Sequence, residues 1–357
     1  MGEGRRSFLR TLGGTALGLA SGARAARAGP GRYGIAFTSF AVRLQRGRDL
    51  IHGAGEPGLP ADAFVDLCRT FAADGCQLDL AQLASTEPAY LDGLRRRLTE
   101  GGLFVELSVS ASALEDDQRF AAAADVARRL GATRLRVALL NGRRYQDFRS
   151  LAAWQEFADH WRRTLPRLKP LLDRHRLAVG LENHKDWRAD ELVELIQSVD
   201  SPFLGVCIDF GNNLSLLEDP LETVTKLAPY AVTTHLKDMA VRPYDRGFQM
   251  SEVPLGTGLC PLARMIEVIR GARPETPFVL EMITRDPLDI PCLDDLYWAT
   301  YPKRDDALLE RFRAGVLTKA SAQALPRVSG SSLAAMIAAE DENVRLSTAF
   351  ARQSLHL

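Results

Sequence analysis

The chain has 357 residues, 45 Lys+Arg against 45 Asp+Glu, 46% hydrophobic residues and five cysteines. That length can bury one large core or two ordinary ones, and 25% charged with 7% aromatic residues excludes a disordered, collagen-like or disulfide-stapled chain. No apolar run approaches the ~20 residues a helix needs to cross a bilayer, and a net charge of zero lacks the basic excess of nucleic-acid binders.

The zero is a sum over two unequal parts. Residues 1–28 hold Arg5, Arg6, Arg10, Arg24 and Arg27 against the single acid Glu3, leaving 40 basic and 44 acidic residues in the rest. In that segment Gly4–Arg10 is basic, Leu12–Ala20 is mildly apolar, and Ala23-Arg24-Ala25 and Ala26-Arg27-Ala28 are small-x-small cleavage sites. This is the layout of a secretory signal. Arg5-Arg6 followed by Ser-Phe-Leu resembles the bacterial twin-arginine signal, whose machinery carries folded proteins. Residues 1–28 are therefore expected to direct export to the periplasm or beyond, with cleavage after Ala28 or retention as an anchor. Cys68, Cys76, Cys207, Cys260 and Cys292 form no CxxC pair and are odd in number, so no disulfide framework is expected.

From Tyr33 onward short β-like runs alternate with amphipathic stretches. The predicted strands are Gly34–Phe37, Cys76–Leu80, Phe104–Val109, Arg134–Leu139, Leu177–Glu182, Leu204–Asp209, Val232–His235 and Phe278–Glu281. The predicted helices are Asp62–Ala73, Ala89–Thr99, Asp116–Leu130, Trp154–Arg174, Ala189–Val199 and Pro261–Arg270, with Gly75, Gly101-Gly102, Gly131 and Pro202 at joins. Eight strand–helix units in this length define a (β/α)8 TIM barrel over residues 29–302, in preference to a doubly wound sheet. No strand runs into G-x-G-x-x-G, so no nucleotide cofactor is expected. Beyond Met282 come a Pro-punctuated loop (Thr284 to Lys303), a helix near Asp305–Thr318 and a polar helix near Ser331–Gln353. Residues 303–357 thus read as a C-terminal helical extension, packed on the barrel or on a second subunit of a homo-oligomer.

Function in such barrels sits at the C-terminal ends of the strands. Strands five to eight end in Glu182, Asp209, His235 and Glu281, each directly after an apolar run and spaced by 27, 26 and 46 residues. Three carboxylates converging on one mouth are costly without a cation. Three hard oxygens and one imidazole suit Mn²⁺, Mg²⁺ or Co²⁺ better than a thiolate-rich zinc site does. Of the six histidines, His52, His160, His175 and His356 read as surface or loop residues.

The segments Leu181-Glu182-Asn183-His184, Ile208-Asp209-Phe210-Gly211-Asn212, His235-Leu236-Lys237-Asp238, Pro254-Leu255-Gly256-Thr257-Gly258 and Leu280-Glu281-Met282 occur in an order and spacing that resemble the xylose isomerase-like TIM-barrel superfamily, the sugar phosphate isomerase/epimerase group. The resemblance covers about residues 33–282. It implies that Glu182, Asp209, His235 and Glu281 bind one divalent metal, Mn²⁺ first, with Mg²⁺, Co²⁺ or Zn²⁺ as alternatives. It also implies that Glu182 and Glu281 are catalytic and exchange the substrate proton. The expected activity is a sugar isomerase or epimerase working through a metal-bound enediolate on a small-molecule carbohydrate.

Position nominates further substrate contacts. His184 reaches a hydroxyl or acts as an acid. Lys237 meets substrate or an acidic neighbour. Asn212 binds substrate or closes a turn, and Arg285 meets an acidic substrate group. Trp187, with Phe37, Phe40, Tyr297 and Trp298, could wall a sugar pocket. Asp238 orients its neighbours.

The pattern departs from the family in one respect. Its ketohexose 3-epimerases carry a His three residues after the metal Asp and a Glu six after the first metal Glu, where this chain has Asn212 and Arg188. The alternative expectation is therefore a lyase, hydrolase or decarboxylase acting on a 3-keto-glycoside or keto sugar acid at the same metal site. Endonuclease IV needs additional histidines that this chain lacks.

Overall fold

The computed structural model describes residues 32–46 and 58–357, so the export signal and His52 lie outside the described residues. Eleven strands occur among them: β1 (Tyr33–Ala36), β2 (Gly75–Asp79), β3 (Phe104–Ser110), β4 (Arg134–Ala138), β5 (Ala178–Glu182), β6 (Leu204–Asp209), β7 (Ala231–Leu236), β8 (Asp238–Tyr244), β9 (Gly247–Val253), β10 (Phe278–Leu280) and β11 (Leu288–Ile290). Strands β1 to β7 and β10 pair in parallel and close in the order β1-β10-β7-β6-β5-β4-β3-β2. This is the eight-stranded TIM barrel, and each barrel strand falls on a segment read as a strand from its apolar run. Leu78, Leu107, Leu135, Val137, Val179, Leu181, Val206 and Ile208 are fully buried, as parallel strands covered on both faces require.

Two segments differ from expectation for local reasons. Trp154–Arg174 is not one helix but Leu151–Thr164, a 3-10 turn at Leu165–Leu168, and Lys169–His175. Pro166 and Pro170 lack the N–H a continuous helix needs. The long connection between β7 and β10 holds the antiparallel hairpin β8–β9, and β11, from the segment read as a loop, pairs with β9. This three-stranded sheet sits over the mouth side of β7, because β8 starts two residues after β7 ends.

The helix expected near Ser331–Gln353 spans Leu333–Gln353 and lies on the barrel itself. Near its start, buried Glu340 accepts from the Val42 N–H at 2.7 Å and from Arg43 at 2.7 Å. Near its end, Thr348 bonds the Tyr33 hydroxyl at 3.0 Å and Arg352 pairs with Asp74 at 3.0 Å. It therefore runs antiparallel to β1, between the helix Leu262–Ala272, whose Arg270 reaches the His356 carbonyl, and the segment after Ala61–Thr70. That is the place of the eighth barrel helix, and the chain's last helix completes the outer ring.

Candidate metal and substrate site at the barrel mouth

The strand register sets the site. Asp209 on β6 is the direct partner of His235 on β7, and Glu182 on β5 partners Cys207, one pleat before Asp209. Glu281 follows β10, its N–H bonded to the Leu236 carbonyl at 3.1 Å. One ligand atom from each of Glu182, Asp209, His235 and Glu281 lies within 4.8 Å of all the others, and all four residues are buried.

Each motif has a local explanation. The Asn183 side chain straps β5 to β6, donating to the Asp209 carbonyl at 2.9 Å and accepting from the Asp209 N–H at 2.8 Å. Asp209 Oδ1 caps the turn that follows, accepting the N–H groups of Gly211 and Asn212, both at 2.9 Å. Asp238 accepts from the N–H groups of Met239, Gly256, Gly258 and Cys260, so it orders the Pro254–Gly258 loop rather than entering the cluster. A Cβ on Gly258 would lie 2.2 Å from Asp238, and Gly256 has φ +84 with Phe350 of the last helix against it, so both positions need glycine.

His235 is oriented from behind. Its Nε2 meets Gln77 Oε1 at 2.8 Å, and Gln77 in turn donates to Glu106, which also accepts from Thr233. An Nε2–H donated to Gln77 leaves Nδ1 facing Glu281, Glu182 and Asp209 at 3.2, 3.6 and 3.9 Å. None of these contacts has hydrogen-bond geometry, so His235 Nδ1 is a buried atom without a hydrogen-bond partner among the described residues. An orphaned imidazole nitrogen facing three carboxylates is the donor set a hard divalent cation takes, and these residues fit one.

Cations hold the carboxylates ionised. Arg136 pairs with Glu182, and Lys237 lies 2.9 Å from Asp209 Oδ2 and also contacts Glu281. Burial pushes the Glu182 and Glu281 carboxyls up. Arg136 and protonated His235 at Glu182, and protonated His235 and Lys237 at Glu281, outweigh it and hold both well below the usual range. Asp209 is instead raised, because its burial exceeds the help of Lys237 and Glu182 and Glu281 add repulsion. Burial disfavours the His235 charge, but Cys207, Glu281 and Glu182 raise it well above its ordinary value, and a bound cation would take the place of that proton on Nδ1. Lys237 is raised: burial works against its charge, but Asp209, Glu281 and Glu252 prevail.

The other expected substrate residues are placed as follows. His184 bonds the Leu140 carbonyl through Nδ1 at 2.8 Å, and burial holds it neutral, down to about 3. Asn212 closes the turn through its N–H to Asp209 Oδ1, and its side chain donates to Glu182 Oε1 at 3.0 Å. Arg285 is engaged by Glu252 of β9 at 3.1 Å, so its guanidinium serves an internal acid first. Arg188 faces Glu218 at 3.4 Å, away from the cluster. The aromatic residues need correction. Trp187, only 1% exposed, packs against Trp154 at 5.1 Å and Phe157 at 6.1 Å, as core rather than as a sugar-facing wall. Phe37, Phe40, Tyr297 and Trp298 are buried likewise; the Tyr297 hydroxyl is spent on the Ser215 carbonyl and the Trp298 indole on the Cys292 carbonyl.

Sequence reasoning missed Arg136, Gln77, Glu106, Thr38, Glu252 and Lys185. A signal existed for three of them. Gln77, Glu106 and Arg136 interrupt apolar barrel strands, at positions where a polar side chain must face the barrel interior. Thr38, in the turn after β1, donates to Glu281 at 2.7 Å. Lys185 is 3% exposed and holds φ +75, a left-handed conformation that costs a non-glycine residue roughly 1 kcal/mol.

Fold and site together define a TIM-barrel protein with a buried carboxylate–imidazole cluster at its mouth, one that could hold a metal. The xylose isomerase-like TIM barrel family matches residues 65–304, and the chain belongs to it. A 3-oxo-isoapionate decarboxylase of Pectobacterium atrosepticum is 28% identical over 194 residues, which are 54% of this chain and 66% of that protein. The match thus spans slightly less than two thirds of that relative's length. Among solved structures, D-psicose 3-epimerase crystallised with D-fructose is similar at a TM-score of 0.58 and 12% identity, covering 91% of this chain and 100% of that one. A xylose isomerase-like barrel from Mycobacterium smegmatis in complex with magnesium is similar at 0.52 and 18% identity, covering 80% and 97%.

Proposed function

We propose that the protein is a divalent-metal-dependent enzyme of keto sugars, with Glu182, Asp209, His235 and Glu281 as ligands and Mn²⁺ as the first candidate ion. The observation that carries this reading is the unpartnered His235 Nδ1 inside a cluster of three carboxylates. When bound, the ion supplies Lewis-acid polarisation of a carbonyl and its neighbouring hydroxyl, which acidifies the C–H between them. Glu182 and Glu281 are the bases available to move that proton, on strands β5 and β10 that lie on different sides of β6 and β7 in the barrel order. Thr38, Asn212, Arg136 and Lys237 fix their orientation. Isomerisation or epimerisation of a small carbohydrate follows.

A second reading, decarboxylation of a keto sugar acid, has specific support. Arg136 and Lys237 are paired with Glu182 and Glu281, so both carboxylates are already engaged by cations of the chain. Loss of CO2 needs no base: the C–C electron pair passes to the adjacent carbonyl, and a proton is taken up afterwards. The Pectobacterium relative supports this reading through its own activity.

A screen of ketoses, 3-keto-glycosides and keto acids in D2O with Mn²⁺, stripped of metal before NMR, separates the two. Deuterium at one carbon of recovered sugar supports the first, a product shorter by one carbon supports the second, and neither outcome with any substrate refutes both. We propose also that Arg5-Arg6 directs export by the twin-arginine machinery; a lysine pair at these positions is expected to retain the protein in the cytoplasm on fractionation, and unchanged export would refute that route.

A further inference from the structure

We propose that Lys185 is the receptor for a carboxylate on the substrate, so that the site takes a keto sugar acid in preference to a neutral ketose. The inference rests on the second reading above and deepens it.

Lys185 follows β5 by three residues, on the same loop as His184 and at the barrel mouth. Its backbone is pinned where it stands: the Lys185 carbonyl accepts from Arg144 N–H at 3.1 Å, and Asp186 Oδ1 accepts the N–H groups of His184 and Trp187 at 3.1 and 2.8 Å. A left-handed φ is held at a lysine, in a turn where glycine would meet no penalty. Strain of that kind is retained where the side chain has a use.

The use is visible in the charges. Glu182, Asp209, Glu252 and Glu281 face Arg136, Lys237 and Arg285, and every one of these seven is in an ion pair. Lys185 is the fourth cation, and it stands outside these pairs. It is buried, and it has no hydrogen-bond or ion-pair partner among the described residues, yet its ammonium is felt by Asp209 and Glu252 of the same cluster. Burial and the neighbouring Lys237 and Arg285 draw its pKa down to about 7. A buried ammonium between two other cations is poorly stabilised until an anion joins it. Filling the metal site only adds positive charge. With Lys185 the four carboxylates meet four cations, so a divalent ion would leave the cluster net positive, and a carboxylate is the form in which a sugar derivative offsets that charge. A phosphate group would more commonly meet a fork of arginines or a helix N-terminus than one lysine.

The test compares 5-keto-D-gluconate with D-fructose, two six-carbon keto sugars with the same keto–hydroxymethyl end, of which the first carries a carboxylate far from its ketone. Calorimetric titration of the Mn²⁺-loaded full chain is expected to show the acid binding about tenfold more tightly or better. Lys185→Met should erase that preference and leave metal content and circular dichroism unchanged, while Lys185→Arg should retain part of it. If Lys185→Met does not fold, Lys185→Asn, a residue type that tolerates the left-handed backbone, takes its place. An acid that binds no better than the ketose to wild type, including the case where neither binds, overturns the proposal, as does a preference that survives loss of the lysine. Metal content is read separately. A Lys185-dependent preference in a chain that takes up no Mn²⁺ would sink the metal reading and leave this inference standing.

Discussion

Glu340 and His235 are both fully buried polar groups in one barrel, and their surroundings treat them differently. On the last helix, both Glu340 oxygens are used, one by the Val42 N–H and one by Arg43, and Thr348 and Arg352 are matched to Tyr33 and Asp74. At the mouth, His235 Nδ1 has no hydrogen-bond partner among the described residues although three carboxylates lie within 3.9 Å of it. In the seam between helix and β1 these side chains are matched within the chain, whereas the cluster at the mouth fits an added cation. Most buried polar groups in stable proteins are satisfied, and an exception calls for an explanation, which at the mouth is a cation among three carboxylates.

Four changes break or sharpen this contrast. The largest effect is expected from Glu281→Gln, which removes a ligand and a candidate base together. Turnover of the keto substrate found by the NMR screen should fall by about 10³-fold or more, with circular dichroism unchanged; a variant within a few-fold of wild type would remove Glu281 from the chemistry. Next, Gln77→Leu takes away the partner of His235 Nε2 without touching a ligand. Mn²⁺ affinity should weaken by about 10- to 100-fold in competition with a fluorescent chelator, and an unchanged affinity would mean that Gln77 does not set the imidazole.

The seam should respond in stability alone. Tyr33→Phe deletes the hydroxyl bonded to Thr348 at 3.0 Å and is expected to cost about 1 kcal/mol in urea unfolding at unchanged turnover. Loss of activity in proportion would couple seam and mouth, which the contrast denies. The effect confined to one pH range comes last. Burial lifts the Glu340 carboxyl from 4.5 to about 7 despite Arg43 and the Val42 N–H. The folded chain therefore keeps a proton that the unfolded chain loses near 4.5, so this stabilising contribution is full below pH 4.5 and is lost as pH rises through 7. Glu340→Gln, which cannot ionise, should gain on wild type by about 2–3 kcal/mol between pH 5 and pH 8 in urea unfolding. A difference that stays constant across that range would place the carboxyl nearer its ordinary value.

Much of this was legible in the sequence because the relevant signals are local. The barrel strands are apolar runs, and Glu182, Asp209, His235 and Glu281 stand directly at or after their ends, so position along the chain fixes their height in the barrel. Pairing is not local. The β8–β9 hairpin is absent from the predicted strands, since its alternation of Phe248, Met250 and Glu252 gains meaning only once β11 pairs beside it. The cations were harder still. Arg136 reaches Glu182 from the neighbouring strand across 46 residues, and Arg285 meets Glu252 across 33. Trp187 was misjudged because an aromatic residue near a ligand motif reads the same whether it faces a sugar or, as here, Trp154.

The most direct measurement is metal stoichiometry. Purified protein incubated with Mn²⁺, dialysed and analysed by mass spectrometry should hold one ion per chain, and Glu182→Gln and His235→Ala should each hold far less while remaining folded. Wild type without bound ion, or variants that retain it in full, would contradict the account.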